Sequence, residues 1–293
     1  MTLHRSTRLL FVTPAIVYLI ALTQAPFLLT LWFSVHKWIL TSPELGVPFV
    51  GFENYAYTVL QDVTFRVAVV NLLVITFGIV SLSLVFGMIL ALLLHRNFPL
   101  QPLARSLAIT PFFVMPTVNA VVWKNLLLNP IFGFVSWLTS AAGLGRVDIL
   151  ASYPQAGIIA MAVWQWTPFM MLVLLAGLQS VPQDVREAAR VDGADALSEF
   201  RSITLPLLAP YIELSLLLGT IYVLQLFGEI FVATQGGPGT ATTTLPYYVY
   251  QTISQSNDVG SSSAQGVCAV ILASIIAAFL LRLLVRTFKA ANA

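Results

Sequence analysis

The residues that could do chemistry are concentrated between positions 180 and 206, which read SVPQDVREAARVDGADALSEFRSITLP. Good helix formers fill positions 183–191, and Pro182 suits a first helical turn because its missing N–H needs no partner there. An Asp192–Gly193 turn ends this run. Asp195 can then cap a second short helix by accepting hydrogen bonds from free backbone N–H groups. The sequence therefore predicts two short helices hinged at Gly193.

This segment mixes charged, small and apolar side chains. Glu187 offers charge, Ala188 and Ala189 allow close approach, and Leu197 and Phe200 supply an apolar anchor. An apolar anchor inside a polar rim is typical of a protein docking surface. The residues alone leave one alternative open, which is an amphipathic loop that lies on lipid headgroups.

Catalytic and metal chemistry find no support in the sequence. The three histidines, His4, His36 and His95, lie far apart and lack metal-ligand spacing, and the single cysteine, Cys268, excludes an intramolecular disulfide. No nucleophile–base pair is evident. The phosphate-binding pattern G-x-x-x-x-G-K-[ST] is absent. We predict that the chain is not an enzyme and binds no metal or cofactor of its own.

The elements that must position these residues are membrane helices. Of 293 residues only 9% are charged and 58% are hydrophobic, whereas globular proteins average about 25% charged residues. The net charge of +2 is too small for a nucleic-acid surface. A bilayer core requires roughly 20 apolar helical residues per crossing. Long apolar runs with few charges predict six spans, at about residues 9–35, 67–94, 106–127, 156–180, 207–232 and 264–285.

We therefore expect an all-α, polytopic membrane protein that forms a single transmembrane domain over residues 1–293. If both termini are cytoplasmic, ten of the 14 basic residues lie on inner segments and four, Lys37, Arg66, Lys124 and Arg146, lie outside. Such an excess of basic residues marks the cytoplasmic side. A cleavable signal peptide is the alternative for the first span, but its apolar region would be only about 7–15 residues long.

Polar and aromatic residues at one predicted depth are candidates for a solute path. From the helical rise of 1.5 Å per residue, they fall in one layer of the outer half of the membrane. Aromatic faces with amide groups suit a sugar or polyol, although such residues also bridge helices in membrane proteins. The same calculation of depth places Glu229 at the outer interface of the membrane. The candidates are Asn119, Trp164, Gln165, Trp166, Tyr222 and Gln225.

The 180–206 segment resembles the EAA loop of binding-protein-dependent ABC importer permeases, and we call it the coupling loop. The residues that match this signature, with the family's spacing, are Glu187, Ala188, Ala189, Asp192, Gly193, Ala194, Phe200, Ile203, Leu205 and Pro206. A second stretch, Thr234-Gln235-Gly236-Gly237-Pro238, resembles the outer segment of the carbohydrate type related to the larger maltose permease subunit.

The resemblance implies a division of labour. A family member pairs with a second, similar permease chain, two ATPase subunits that bind ATP and Mg²⁺, and an extracytoplasmic solute-binding protein. The matched residues would form a coupling helix seated on one ATPase. Members reside in a bacterial-type inner membrane and carry sugars, polyols, glycosides or glycerol phosphodiesters.

Two other functions fit the sequence less well. An ion-coupled secondary transporter would need a complete ion relay in one chain, and typically more than six spans or an inverted repeat. No clear internal repeat is present. A membrane enzyme would need a nucleophile and base, which are missing. We therefore predict a transmembrane permease subunit of an ATP-driven carbohydrate importer.

Overall fold

The computed structural model describes the backbone of residues 5–291, and the side chains of residues 12–285 except 183, 186 and 190. The prediction that both termini are cytoplasmic concerns residues 1–4 and 292–293, which lie outside the described residues. Apart from two isolated bridges, His36–Phe49 and Ile39–Asp258, the regular structure of this described part is helical. The all-α prediction is confirmed.

The α-helices are numbered in chain order. They are α1 (Arg5–Ser34), α2 (Glu53–Ala56), α3 (Val63–His95), α4 (Gln101–Ile109), α5 (Pro116–Val122), α6 (Phe134–Ala141), α7 (Ile149–Ser152), α8 (Pro154–Ser180), α9 (Gln183–Val191), α10 (Ala196–Glu199), α11 (Leu205–Val223), α12 (Gly228–Ala233), α13 (Leu245–Gln255) and α14 (Val259–Ala291). Short 3₁₀ turns cover Pro43–Leu45 and Thr110–Phe113, and π-helical turns cover Tyr57–Gln61, Trp123–Leu127 and Phe200–Thr204.

Five helical runs in the described part are long and apolar enough to cross a membrane, and a bent pair of helices makes a sixth. The straight runs are Val12–Ser34, Val63–His95, Pro154–Ser180, Ala196–Val223 and Val259–Val285. The bent pair is Gln101–Phe113 with Pro116–Leu127, which meet at 100°. With that pair counted as one span, the number matches the six predicted spans.

The bend lies at Val114 and Met115, which are extended, with ψ of 131° and 138°. A residue that precedes proline is disfavoured in the α conformation, and Pro116 follows directly. The predicted third span, at about residues 106–127, is therefore broken rather than continuous.

The fifth span differs from its predicted bounds of 207–232. It begins at Ala196, runs on through the π-helical turn and ends at Val223, and α12 follows as a separate helix. A local π turn re-satisfies backbone groups that a proline frees, so the helix continues past Pro206. The second helix of the coupling loop is therefore continuous with the span.

The chain divides into two compact units. The first comprises the described part of Met1–Arg66 with Tyr248–Ile271, and the second comprises Val67–Tyr247 with the described part of Leu272–Ala293. In the first unit, the Asn54 amide donates to the carbonyl oxygens of Ser34 and His36, each at 2.9 Å. These bonds satisfy carbonyls at the end of α1.

Asp62 caps the start of α3 in the same unit. Its Oδ1 accepts from the Phe65 N–H at 3.0 Å, and its Oδ2 accepts from the Tyr248 hydroxyl at 2.6 Å. Burial raises the pKa of the Tyr248 phenol above its usual value, and the hydrogen bond and charge of Asp62 raise it further.

Helix α8 is the centre of the second unit and the most buried of the described spans. A Cβ added at Gly87 of α3 would lie 2.7 Å from Met170 Cβ, and one added at Gly177 would lie 2.6 Å from the Tyr211 ring of α11. Small residues allow membrane helices to approach this closely. Glycines thus set the spacing of α3, α8 and α11.

Candidate functional site

The hinge of the coupling loop is a defined helix terminus. Gly193 has φ of +85°, and the Ala194 N–H donates to the Ala189 carbonyl at 2.9 Å. This six-to-one bond around a left-handed residue is the Schellman motif, which favours glycine because a Cβ is strained there. Asp195 accepts from the Ser198 N–H at 3.0 Å, as predicted, and starts α10. Three of the matched residues, Ala189, Gly193 and Ala194, thus form one turn.

The coupling loop presents one set of side chains outward. Glu187, Ala188 and Asp192 are exposed, Val191 is 87% exposed and Leu197 is 70% exposed. Exposed apolar side chains therefore lie beside charged ones on this surface, which is the composition of an anchor and rim; that it docks a partner stays a prediction. Val191 was not among the predicted residues.

Another set points into the second unit. Glu199 is 6% exposed and Thr204 is buried, while Phe200 is partly buried. Leu197 and Phe200, predicted as one anchor, therefore face different surroundings. Of the remaining matched residues, Ala189, Ala194 and Ile203 are partly buried, and Leu205 and Pro206 are exposed.

A cavity of about 410 Å³ lies beneath this inward face. Its walls come from the end of α3, the end of α8 and the second half of the coupling loop, and are formed by Leu92, His95, Arg96, Leu178, Val181, Ala196, Glu199, Phe200 and Thr204. We call it the loop cavity. Two basic side chains and one carboxyl share a largely apolar space.

Two of the predicted solute-path residues, Asn119 and Gln165, meet inside the second unit. The Asn119 amide donates to Gln165 Oε1 at 2.8 Å and to the Met161 carbonyl at 3.0 Å. The Gln165 amide donates to the Val114 carbonyl at 2.6 Å. Both side chains are buried. Val114 lies where the third span breaks, so the Gln165 amide satisfies a backbone carbonyl left open there.

A second predicted pair is open. The rings of Trp166 and Tyr222 stack at 5.6 Å with an interplanar angle of 25°. Phe112 contacts Trp166 edge-on at 5.8 Å and stacks on Phe169 at 5.9 Å. Tyr222 is 54% exposed, so this aromatic cluster has an accessible face. Phe112 and Phe169 were not predicted, and only the adjacent Pro111 and Pro168 hinted at irregular backbone there.

The last two candidates lie apart from these groups. The Trp164 ring is 6.3 Å from Trp123 and lines a groove of about 600 Å³ with Pro111 and Pro168. Gln225 is exposed and donates to the Ile221 carbonyl of the preceding turn at 3.3 Å. The structure thus distributes the predicted layer over distinct environments.

An amide clamp at the other end of α3 was missed by sequence reasoning. Asn71 donates to the carbonyls of Thr240 and Thr243 at 2.8 and 3.0 Å. Gln155 donates to Asn71 Oδ1 and to the Ala241 carbonyl, each at 3.0 Å. These bonds fix the Gly- and Thr-rich segment that follows α12. The signal for this clamp in the sequence was Asn71, a polar residue within an uncharged span.

Glu229 is buried, with 1% of its surface exposed. Its predicted depth at the outer interface stays a prediction. The break after Val223 places Glu229 on α12, which packs against α5. Its Oε2 has no hydrogen-bond partner among the described residues. Within those residues, His, Cys, Asp and Glu do not gather in groups of three that could hold a metal.

Helical runs sufficient for six membrane spans, a hinged surface segment and an open aromatic cluster are features expected of a polytopic transport subunit. The chain belongs to the family described as binding-protein-dependent transport system inner membrane component, which matches residues 83–290. It is a multi-pass inner-membrane permease subunit of an ABC transporter. This confirms the resemblance carried by the coupling loop and argues against an ion-coupled secondary transporter.

Relatives and structures agree with this assignment. The chain is 35% identical over 265 residues to the trehalose/maltose transport system permease protein MalF of Thermococcus litoralis, covering 90% of this chain and 88% of that protein. It is 34% identical over 283 residues to the sulfoquinovosyl glycerol permease protein SmoG of Agrobacterium fabrum, covering 96% and 91%. A crystal structure of a bacterial alginate-importing ABC transporter matches with a TM-score of 0.79, 23% identity and 96% of each chain, which shows the fold.

Proposed function

We propose that this chain is one of two permease subunits of an ATP-driven importer that carries a carbohydrate, a sugar or polyol, into the cell. The relatives named for trehalose/maltose and sulfoquinovosyl glycerol support this substrate class. Both termini and the coupling loop lie on the cytoplasmic side, in keeping with the distribution of basic residues.

The observation that carries the proposal is the hinged coupling loop. Its outward face, with Glu187, Val191 and Leu197, seats on an ATPase subunit that binds ATP and Mg²⁺. Its inward face packs on the transmembrane helices through Phe200 and Thr204. A rigid turn at Gly193 joins the two faces, so movement of the ATPase is passed on rather than absorbed.

The partners are inferred from the missing phosphate-binding motif and from the exposed surfaces of the chain. Its sequence has no phosphate-binding loop, so the ATPase is a separate dimer. Helix α1 is exposed from Val12 to Leu29, and a second, similar permease chain and lipid cover it. The clamped segment around Gly237 and Pro238 receives an extracytoplasmic solute-binding protein. Nucleotide-driven closure shifts the pair of permeases between inward- and outward-facing states by differential binding.

The solute path runs past the aromatic cluster. The stacked Trp166 and Tyr222 rings offer a flat face for the C–H side of a sugar ring, and Gln225 lies one turn from Tyr222. Trp164 belongs to the lateral wall of the path. Asn119 and Gln165 hold the broken span in place behind it, within reach of solute hydroxyl groups only when the path opens.

The proposal is tested with the complete complex in proteoliposomes. ATP hydrolysis is measured with the cognate binding protein and each of trehalose, maltose, sorbitol, sulfoquinovosyl glycerol and a glycerol phosphodiester. Stimulation by one member and its accumulation inside the vesicles are expected. Absence of an ATPase from the purified complex overturns the importer assignment, and stimulation by a non-carbohydrate alone overturns the substrate class. A Tyr222→Ala variant should lower uptake, whereas Trp137→Ala, at an exposed ring outside the cluster, should not.

A further inference from the structure

Glu199 is an unusual member of the coupling loop because it is buried. The three residues before it, Ala196, Leu197 and Ser198, are exposed, whereas Glu199 is 6% exposed and lines the loop cavity. Burial of a carboxylate is costly unless a cation or hydrogen-bond donor faces it. The wall of the loop cavity offers such groups.

The described wall offers two basic side chains, His95 and Arg96, both at the end of α3. The other lining residues are apolar or, in the case of Thr204, neutral. Positive charge is favoured at a helix C-terminus by the helix dipole. Arg96 is exposed, whereas His95 is partly buried. His95 is therefore the better placed of the two.

The end of α3 is itself held firmly. Arg105 donates to the Leu94 carbonyl at 2.8 Å, and Gln101 donates to the carbonyls of Leu94 and Arg96, each at 2.9 Å. These three hydrogen bonds satisfy the carbonyls of Leu94 and Arg96, which are open at the end of the helix. A side chain attached here transmits force to the whole of α3 and to α4.

We propose that Glu199 and His95 form a charge-assisted pair that ties the coupling loop to the cytoplasmic end of α3. Glu199 is a positioning residue, and the inference rests on the proposed coupling function. The loop is already continuous with α11 through the π-helical turn. The pair gives it a second attachment, so that displacement of the loop moves α3 and α11 together. The loop cavity leaves room for this displacement, which a close-packed contact would resist.

The experiment is a double-mutant cycle on the purified complex, with Glu199→Gln, His95→Gln and both together. Ser198→Ala, at the exposed neighbouring position, is the matched control. Each single change should lower solute uptake per ATP hydrolysed about tenfold, the range of a coupling energy between two sites. The double variant should lose no more than either single variant. The exchange of His95→Glu with Glu199→Lys should restore most of the coupling.

Thermal unfolding of the same complexes separates this inference from the function on which it rests. A non-additive cycle in melting temperature is expected, and it does not depend on transport. Additive effects in both the melting temperature and the uptake ratio, or a Glu199→Gln variant equal to wild type in both, overturn the pair. If the melting temperatures show the expected non-additivity but the wild-type complex never hydrolyses ATP, the proposed function is overturned and the pair is not.

Discussion

A graded series of substitutions at Gly193 tests whether the hinge geometry positions the coupling loop. The φ of +85° places this residue in the left-handed region, and a Cβ there would meet no atom within 4 Å. Side-chain clashes therefore play no part, and the backbone conformation alone sets the cost. For a residue other than glycine this cost is roughly 1–2 kcal/mol, while asparagine tolerates the region better.

The expected order of ATPase affinity is Gly193, then Gly193→Asn, Gly193→Ala and Gly193→Val. If the strain is relieved when the loop leaves its docking geometry, Gly193→Ala weakens binding by about 5- to 30-fold, the factor that corresponds to 1–2 kcal/mol. Gly193→Val weakens it further because a β-branched residue is an outlier at positive φ. The measurement is binding of purified ATPase subunit to the permease pair in nanodiscs, by surface plasmon resonance.

Gly239→Ala is the matched control, because Gly239 also has positive φ, +59°, and also has open space around it. It lies on the segment held by the amide clamp rather than on the coupling loop, so ATPase affinity should not change. Wild-type affinity in Gly193→Val would refute the role of the hinge. Equal losses at Gly193 and Gly239 would show that general strain, and not loop geometry, weakens binding.

Three further predictions concern packing, the clamp and pH. Gly87→Ala should lower the melting temperature of the complex, because the added Cβ would meet Met170 Cβ and the backbone of α8. Overpacking of this kind costs about 1–3 kcal/mol. The control is Gly266→Ala, which has open space around the added Cβ and should leave the melting temperature unchanged. Asn71→Ala should accelerate hydrogen exchange in residues 236–243 about tenfold by removing the clamp, since an unmet hydrogen bond costs about 1–3 kcal/mol, and unchanged exchange would contradict the clamp. Folding raises the Tyr248 phenol pKa, so its contribution to stability is complete below about pH 10 and is lost as pH rises beyond it. Tyr248→Phe should abolish this alkaline loss in thermal unfolding, and persistence of the loss would assign it to another group.

The features that the sequence predicted well depend on neighbouring residues. The six spans follow from long apolar runs, and the hinge follows from Gly193 and the Asp195 cap that succeeds it. Both are governed by interactions within about one helical turn. The family match of the coupling loop is equally local, since its residues occupy one short stretch of chain.

The features that required the structure depend on residues far apart in sequence. Asn119 and Gln165 are separated by 46 positions, and Asn71 and Thr243 by 172. The helical rise predicted a depth for each residue, but it did not predict the direction in which each side chain points around the helix axis. A common depth therefore could not distinguish the buried amide pair from the open Trp166–Tyr222 stack.

The amino-acid sequence alone predicted six membrane spans and a hinged loop with the family's coupling signature. Tertiary structure decided that Glu199 turns inward while Leu197 stays exposed, and that the third span breaks at 100°. The reason is physical. Hydropathy and helix capping depend on residues close together in the chain. Whether a side chain is buried or exposed depends on the helices that pack around it.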